Sequence, residues 1–393
     1  MVAAATVEMV AMAEMVAMEA MEATVDNSLS RRVFRLIAVS VLPLTGFAQN
    51  APGIALVPGD PLELVTGPAH AAVTPQDREA ALQLLGRARN NFTLRESQTA
   101  YHLKVRFAVD SLGQTNYDGV WETDDLFDPQ QGLRWIAKAA SGYVTTRISS
   151  NGAVHGEGTA SLLPLRLHEA RGLLYDPLPS PAYAGRGSIR AASATFHGAL
   201  VTCLLLARSL NPTNPPMGRG WEENEECIDP QSGLLQMHSE APGRYVVYDY
   251  AKGPQLGGRV LPRTVTVTEA GRVVSRISVE GLEEIAPPDP SLYVPTGAMN
   301  AAGEAPAMSG ATKMSRVHGS GPLTSAMTVR PVCVFGLVTP AGQLVEAHSL
   351  QPSDPNSEVA VEDAKTIDFS SSAPAGASPH QHFVFVIEKF ISR

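Results

Sequence analysis

The sequence predicts an α+β protein. A large curved antiparallel sheet carrying one or two helices occupies 74–297, and a small β-β-α-β module occupies 330–393. Three observations lead there. Apolar residues alternate with polar ones through most of the middle of the chain, as in Tyr101-His102-Leu103-Lys104-Val105-Arg106-Phe107, the period of half-buried strands. The breaks between these runs are short and contain Gly, Pro or Asp, which suits a meander better than parallel strands with helical crossovers. Residues 298–329 hold Gly, Ala, Ser, Met and Thr with little periodicity, the pattern of a flexible linker that would leave the last module mobile unless docking restrains it.

The bulk composition bounds the rest. At 393 residues the chain exceeds what one core usually serves, so two folded domains are expected. With 44% apolar and 18% charged residues the bulk is globular. A net charge of −9, without a basic run interleaved with aromatics, argues against nucleic acid as a partner.

Residues 1–48 are read as a biased leader and a signal peptide. Residues 1–24 are nearly all Met, Val, Ala, Glu and Thr, and their Met spacing makes no helical stripe. Ser30-Arg31-Arg32-Val33-Phe34-Arg35, the apolar Leu36 to Leu44, and Gly46-Phe47-Ala48 supply a basic head, a short apolar run and a cleavage site. Export to the periplasm follows, and the twin-arginine and general secretion routes both remain open. The apolar run is about nine residues, against roughly 20 for a bilayer crossing, so no integral membrane span is expected. Residues 49–73, rich in Pro, Gly and Ala, form a loose lead-in.

The first helix opens with Thr74 as N-cap, Pro75 in the first turn and Asp77 reaching back to the cap; Ala81, Leu82, Leu84, Leu85 and Ala88 make its apolar face. Strands follow over 101–109 and 117–121. Leu133 to Ala139 and Tyr143 to Ser149 flank Ser141-Gly142 as a hairpin. The leucine spacing from Leu162 to Tyr175 predicts a second helix that Pro177 ends. Strands resume over 199–207, 226–228, 234–239, 245–250, 261–269 and 273–282. Cys203 and Cys227 lie on two of them, and in an exported protein they would pair as a disulfide; the alternative is two free thiols packed as small apolar side chains.

Several segments of 74–297 resemble the lipoprotein-carrier family of LolA and LolB. They are the leading helix, Trp121-Glu122, Arg134-Trp135, Cys227-Ile228-Asp229-Pro230-Gln231-Ser232-Gly233-Leu234-Leu235, Pro262-Arg263-Thr264-Val265 and Pro287-Pro288-Asp289-Pro290-Ser291-Leu292-Tyr293-Val294-Pro295. The resemblance implies a half-closed sheet wrapping a site for an apolar ligand or lipid, without naming its residues.

In the last module, Pro331 to Val338 and Leu344 to Leu350 flank Pro340-Ala341-Gly342 as a hairpin. A short helix lies within Ser353 to Ile367, and a final strand covers Gln381 to Phe390. With Val361-Glu362-Asp363-Ala364, Phe369 and Ala373-Pro374-Ala375-Gly376, this order resembles the TonB C-terminal domain, departing from it where three serines follow Phe369. The resemblance implies binding of an extended peptide of an outer-membrane protein by strand addition, with Phe383, Val384, Phe385, Val386 and Ile387 as the receiving edge. The membrane helix and Pro/Lys-rich spacer of an energy transducer are missing, so no energy transduction is expected.

Little else carries chemistry. His380-Gln381-His382 could begin a metal site but lacks a third ligand. Glu222-Glu223-Asn224-Glu225-Glu226 lacks the spacing of a calcium loop and reads as a solvated acidic loop. Ser141-Gly142 and Ser309-Gly310 read as turns rather than nucleophile elbows. No catalytic residue, cofactor or metal is nominated. The leading expectation is a periplasmic binding or interaction protein at the cell envelope. The alternatives are a lipid or lipoprotein carrier acting through the front sheet and, third, an envelope hydrolase.

Overall fold

The computed structural model describes residues 62–64, 70–71, 74–92, 94–110, 112, 118–150, 153–159, 165–208, 219–301, 312–318, 328–339, 341–369 and 382–392. The leader, the signal peptide, Leu162, Leu163, Ser309-Gly310, His380-Gln381 and Ala373 to Gly376 lie outside them.

In chain order the front part comprises β1 Leu62–Leu64, β2 His70–Ala71, α1 Pro75–Phe92, β3 Tyr101–Val109, β4 Gly119–Asp128, β5 Gly132–Ala139, β6 Val144–Ser150, β7 Ala153–Gly158, α2 Leu165–Tyr175 and α3 Pro181–Ala184. It continues with β8 Ser188–Phe196, β9 Ala199–Ala207, β10 Asn224–Ile228, β11 Leu235–Ala241, β12 Arg244–Asp249, β13 Gln255–Leu256, β14 Arg259–Val260, β15 Thr264–Glu269, β16 Arg272–Glu284 and β17 Asn300–Ala301. Apart from the β13–β14 ribbon, these strands form one sheet in the order β1-β8-β9-β10-β11-β12-β15-β16-β3-β4-β5-β6-β7-β17, with β2 beside β8. Among the described residues its paired strands run antiparallel, as predicted. Two tight hairpins place a non-glycine residue and a glycine at positive φ, His197-Gly198 and Ala270-Gly271, the backbone that a two-residue turn between right-twisted strands requires.

Local chemistry explains the helices. Thr74 Oγ1 accepts from the Asp77 amide at 3.0 Å and donates to its carboxylate at 2.6 Å, so the predicted cap starts α1. Ala81, Leu84, Leu85, Ala88 and Phe92 bury one face of that helix. Helix α2 is different: nine of its residues, Leu165, Arg166, Leu167, Glu169, Ala170, Arg171, Leu173, Leu174 and Tyr175, are buried, so it has no solvent face of ordinary size. A helix buried on all sides lies inside a fold rather than upon it. Residues of β8 and β9 on one flank and of β4 and β5 on the other share a single core with both helices. Ten strands from β8 to β5 would spread a flat sheet over about 43 Å at ~4.8 Å per step, so one common core means that the sheet curls round the helices.

The C-terminal part comprises β18 Thr312–His318, β19 Thr328–Val338, β20 Leu344–Ser349, α4 Ser357–Lys365 and β21 His382–Ser392. It forms a separate four-stranded sheet, β18-β21-β19-β20, in which β18 runs parallel to β21. Two expectations change here. The stretch 298–329, read as linker, contributes the strand β18, so the module is β-β-β-α-β. Its signal is weak: Thr-Lys-Met-Ser-Arg-Val-His carries two β-branched residues among polar ones. The predicted receiving edge Phe383, Val384, Phe385, Val386 and Ile387 is an interior segment, because Val384 to Phe390 pair with β18 on one side while β19 covers the other. Its near-continuous apolar run reflects burial on both faces: Val384 and Val386 meet α4 with Ala360 and Ala364, while Phe383, Phe385 and Ile387 meet Leu165, Trp221 and Ala241 of the front part. Pro331 is tolerated in β19 because β20 pairs only with Val334 to Val338.

Candidate functional site

The chemistry of this chain is concentrated where α2 lies between the front sheet and the C-terminal module. At the C-terminal end of α2, Arg171 donates two hydrogen bonds to Asp125 of β4, at 3.1 and 2.7 Å, and stacks 4.0 Å over the Trp135 ring. Tyr175 donates to the same carboxylate. All three polar groups are buried. Burial disfavours ionising Tyr175, and the Asp125 charge adds to this, so its phenol is held well above the ordinary tyrosine range.

At the N-terminal end of α2, six groups form a buried network. Glu269 of β15 lies 2.7 and 3.1 Å from the Arg166 guanidinium, 3.1 Å from Arg244 Nε and 3.1 Å from His348 Nε2 of β20. Arg166 also reaches Glu169 at 3.2 Å, and Arg244 pairs with Glu169 and Glu240. Phe335 and Phe383 of the module cover the guanidinium of Arg166, with ring centroids at 5.4 and 4.8 Å, and Phe335 covers Arg244 at 4.9 Å. Burial pushes the Glu269 pKa up, but Arg166, His348 and Arg244 outweigh it and hold the carboxyl well below its usual range. Glu169 moves the other way, since its desolvation exceeds the attraction of Arg244 and Arg166. Carboxylates matched to guanidinium groups in a dry site act as a clamp with directional pairing; proton transfer to a substrate would need a group open to it.

The sequence-nominated residues are distributed as follows. Cys203 and Cys227 are directly paired across β9 and β10 and form a disulfide. They lie beside Glu225 in a group whose spacing could suit a metal, but two sulfurs bonded to each other are not thiolate ligands. The acidic run is not a solvated loop. Glu223 accepts from Arg190 through two bonds of 2.7 Å, Glu225 is paired with Arg219 at 3.1 Å, and Glu226 with His238 at 2.8 Å, all buried; only Glu222 is open to solvent. Desolvation lowers the His238 pKa, but the adjacent Glu226 charge more than reverses this and the imidazole is raised overall. His382 is half-buried at the start of β21, in register with Val338 of β19. Sequence reading missed Arg166, Arg171, Arg244 and Glu269; for Arg166 and Arg171 the available signal was a charged residue within the apolar spacing of Leu165 to Leu174.

Comparisons with known proteins end at likeness. No protein-family model and no curated protein matches the chain. Among solved structures it is similar to a LolA superfamily protein from Nitrosomonas europaea, at 10% identity and a TM-score of 0.33, covering 54% of this chain and 96% of that one. It is also similar to a DUF1329 family protein from Desulfovibrio piger, at 9% identity and a TM-score of 0.35, covering 55% and 96%. A third likeness is to the MucA/MucB complex of Pseudomonas aeruginosa, at 12% identity and a TM-score of 0.26, covering 68% and 82%.

Proposed function

We propose that the chain is an exported, non-enzymatic binding protein of the bacterial cell envelope whose front sheet holds an apolar ligand, a lipid or the acyl chains of a lipoprotein. The observation that carries this reading is helix α2. It occupies the space that the sheet encloses, and side-chain pairs join it to β4, β12 and β15. The helix covers apolar side chains of the sheet, so its withdrawal would leave a hollow lined by groups such as Leu103, Phe107, Val267 and Val279, suited to hydrocarbon. The resemblance of 74–297 to lipoprotein carriers supports the same reading. Placement in the periplasm rests on the signal-like segment 30–48 and on the Cys203–Cys227 disulfide, a bond that persists in oxidising compartments.

Native mass spectrometry of the full chain after gentle extraction from an envelope fraction tests the reading. Retained lipid, displaced by an added long-chain fatty acid, is the expected result. A chain that arrives empty and takes up neither fatty acid nor a diacylated lipopeptide would overturn it. The adaptor reading, in which the last module receives a peptide of an outer-membrane protein, would require β18 to leave first.

A further inference from the structure

We propose that Arg147 seats an oxyanion, so that the front sheet takes an amphiphile headed by a single negative charge, a carboxylate or a phosphodiester, in preference to a neutral lipid. This rests on the reading of the front sheet as a site for an apolar ligand and names the head that such a ligand carries.

The register of the sheet puts Leu103 of β3, Asp125 of β4, Trp135 of β5 and Arg147 of β6 in one row. Directly paired residues share a face of the sheet, and Arg171 of α2, stacked over the Trp135 ring, marks this face as the one turned to the helix. Arg147 therefore points inward, and it is 8% exposed. Among the described residues no hydrogen bond or ion pair reaches it, and its Nε is sealed from solvent without an acceptor. In the adjacent row of the same face, Thr123 Oγ1 is also buried without a partner.

An arginine is rarely buried without a counter-ion, because desolvating its charge is costly. Arg166, Arg171, Arg190 and Arg244 are buried too, and each meets a carboxylate. Asp125 does not serve Arg147: one of its oxygens accepts from Arg171, and the other from Arg171 and Tyr175. Around Trp135 two guanidinium groups thus face one carboxylate, and one positive charge is left over. Burial lowers the Arg147 pKa; Tyr143 opposes this and the Arg171 charge adds to it, yet a guanidinium keeps its proton in a protein. A monoanion balances the excess, and the planar fork of Arg147 matches the oxygens of a carboxylate or phosphate. Trp121 and Tyr143, edge to face at 4.9 Å, and Leu103 in the row of Arg147 offer apolar surface to the rest of such a ligand. The seat is formed while α2 is docked, since that helix holds Arg171 on Asp125.

Calorimetry on the delipidated full chain, with decanoate, decanol and acetate below any micelle concentration, tests this. Decanoate should bind the wild-type chain at least about tenfold more tightly than decanol, and acetate should bind far more weakly than either. Arg147→Met should abolish the preference for decanoate and leave the decanol affinity unchanged. With no partner to lose, R147M should melt no lower than the wild type without ligand. Equal affinity of the wild-type chain for decanoate and decanol, or a preference that survives in R147M, would overturn the proposal and leave the lipid reading standing. Binding of neither amphiphile would overturn both. Acetate bound as tightly as decanoate would make the seat one for free anions, and a lower melting temperature in R147M would give Arg147 a structural partner; either result also overturns the proposal.

Discussion

Glu269 shows how much of this protein's stability is assigned to single buried groups. Its carboxylate receives Arg166, Arg244 and His348 from α2, β12 and β20, and removing one member of a buried ionic network typically costs about 3–5 kcal/mol. Glu269→Gln should therefore lower stability by about that amount at neutral pH. The sign of the pH effect follows from the depressed folded pKa: the contribution is complete above the unfolded value of about 4.3 and is lost as pH falls towards the folded one. Urea unfolding at a series of pH values should show a shallower loss between about pH 5 and 2 in the variant; an unchanged slope would count against the hub. Lys313 gives the opposite test. Its amine is held down to about 8, so between that value and about 10.4 the unfolded chain binds more protons and stability rises with pH. Lys313→Met should abolish this rise, as read by thermal melts at pH 8 and 9.5. Such pairings were illegible in the sequence. Glu223 looks like one residue of an acidic run until the register of β8 and β10 brings Arg190 to it.

At the scale of elements, α2 is a helix that tertiary pairing maintains. Asp125→Asn removes the charge that Arg171 and Tyr175 share and leaves a buried guanidinium without its counter-ion, so it should cost about 3–5 kcal/mol and lower the melting temperature more than any surface substitution on α1. A melt within a degree or two of the wild type would mean that Arg171 finds another partner. The Cys203–Cys227 bond closes a loop of 24 residues. Its removal in C203A/C227A should cost about 3–4 kcal/mol by chain entropy, measured by urea unfolding without reductant. Elements with strong local signals were legible. The Thr74 to Asp77 cap, the alternation of β3 and β4, and the turn at Ser141-Gly142 all occur where predicted. β8 was not predicted, because Ser-Ile-Arg-Ala-Ala-Ser-Ala-Thr-Phe is rich in alanine and low in β propensity.

For the molecule as a whole, the decisive feature is that the second sheet is packed against the first. Leu165, Trp221 and Ala241 of the front part share a core with Cys333, Phe335, Leu350 and Phe385 of the module. Gln351 ties them further, accepting from the Cys333 amide at 2.7 Å and donating to the Pro242 carbonyl at 3.0 Å. The sequence predicted an independent module because nothing local in 298–329 announces a docking surface; the contact depends on residues more than 100 positions apart, such as Gln351 and Pro242. Cys333 is a built-in reporter of that contact. Its thiol is buried, and desolvation pushes its pKa up to about 12, so it reacts only when the two sheets separate. If they open as one cooperative body, maleimide labelling of Cys333 should rise with urea in step with the loss of far-ultraviolet dichroism. Glu269→Gln should shift both curves to lower urea together, since Glu269 and His348 are paired across the contact. Labelling that precedes the loss of secondary structure would instead establish a state in which both sheets persist undocked, and the module would then be a mobile domain after all.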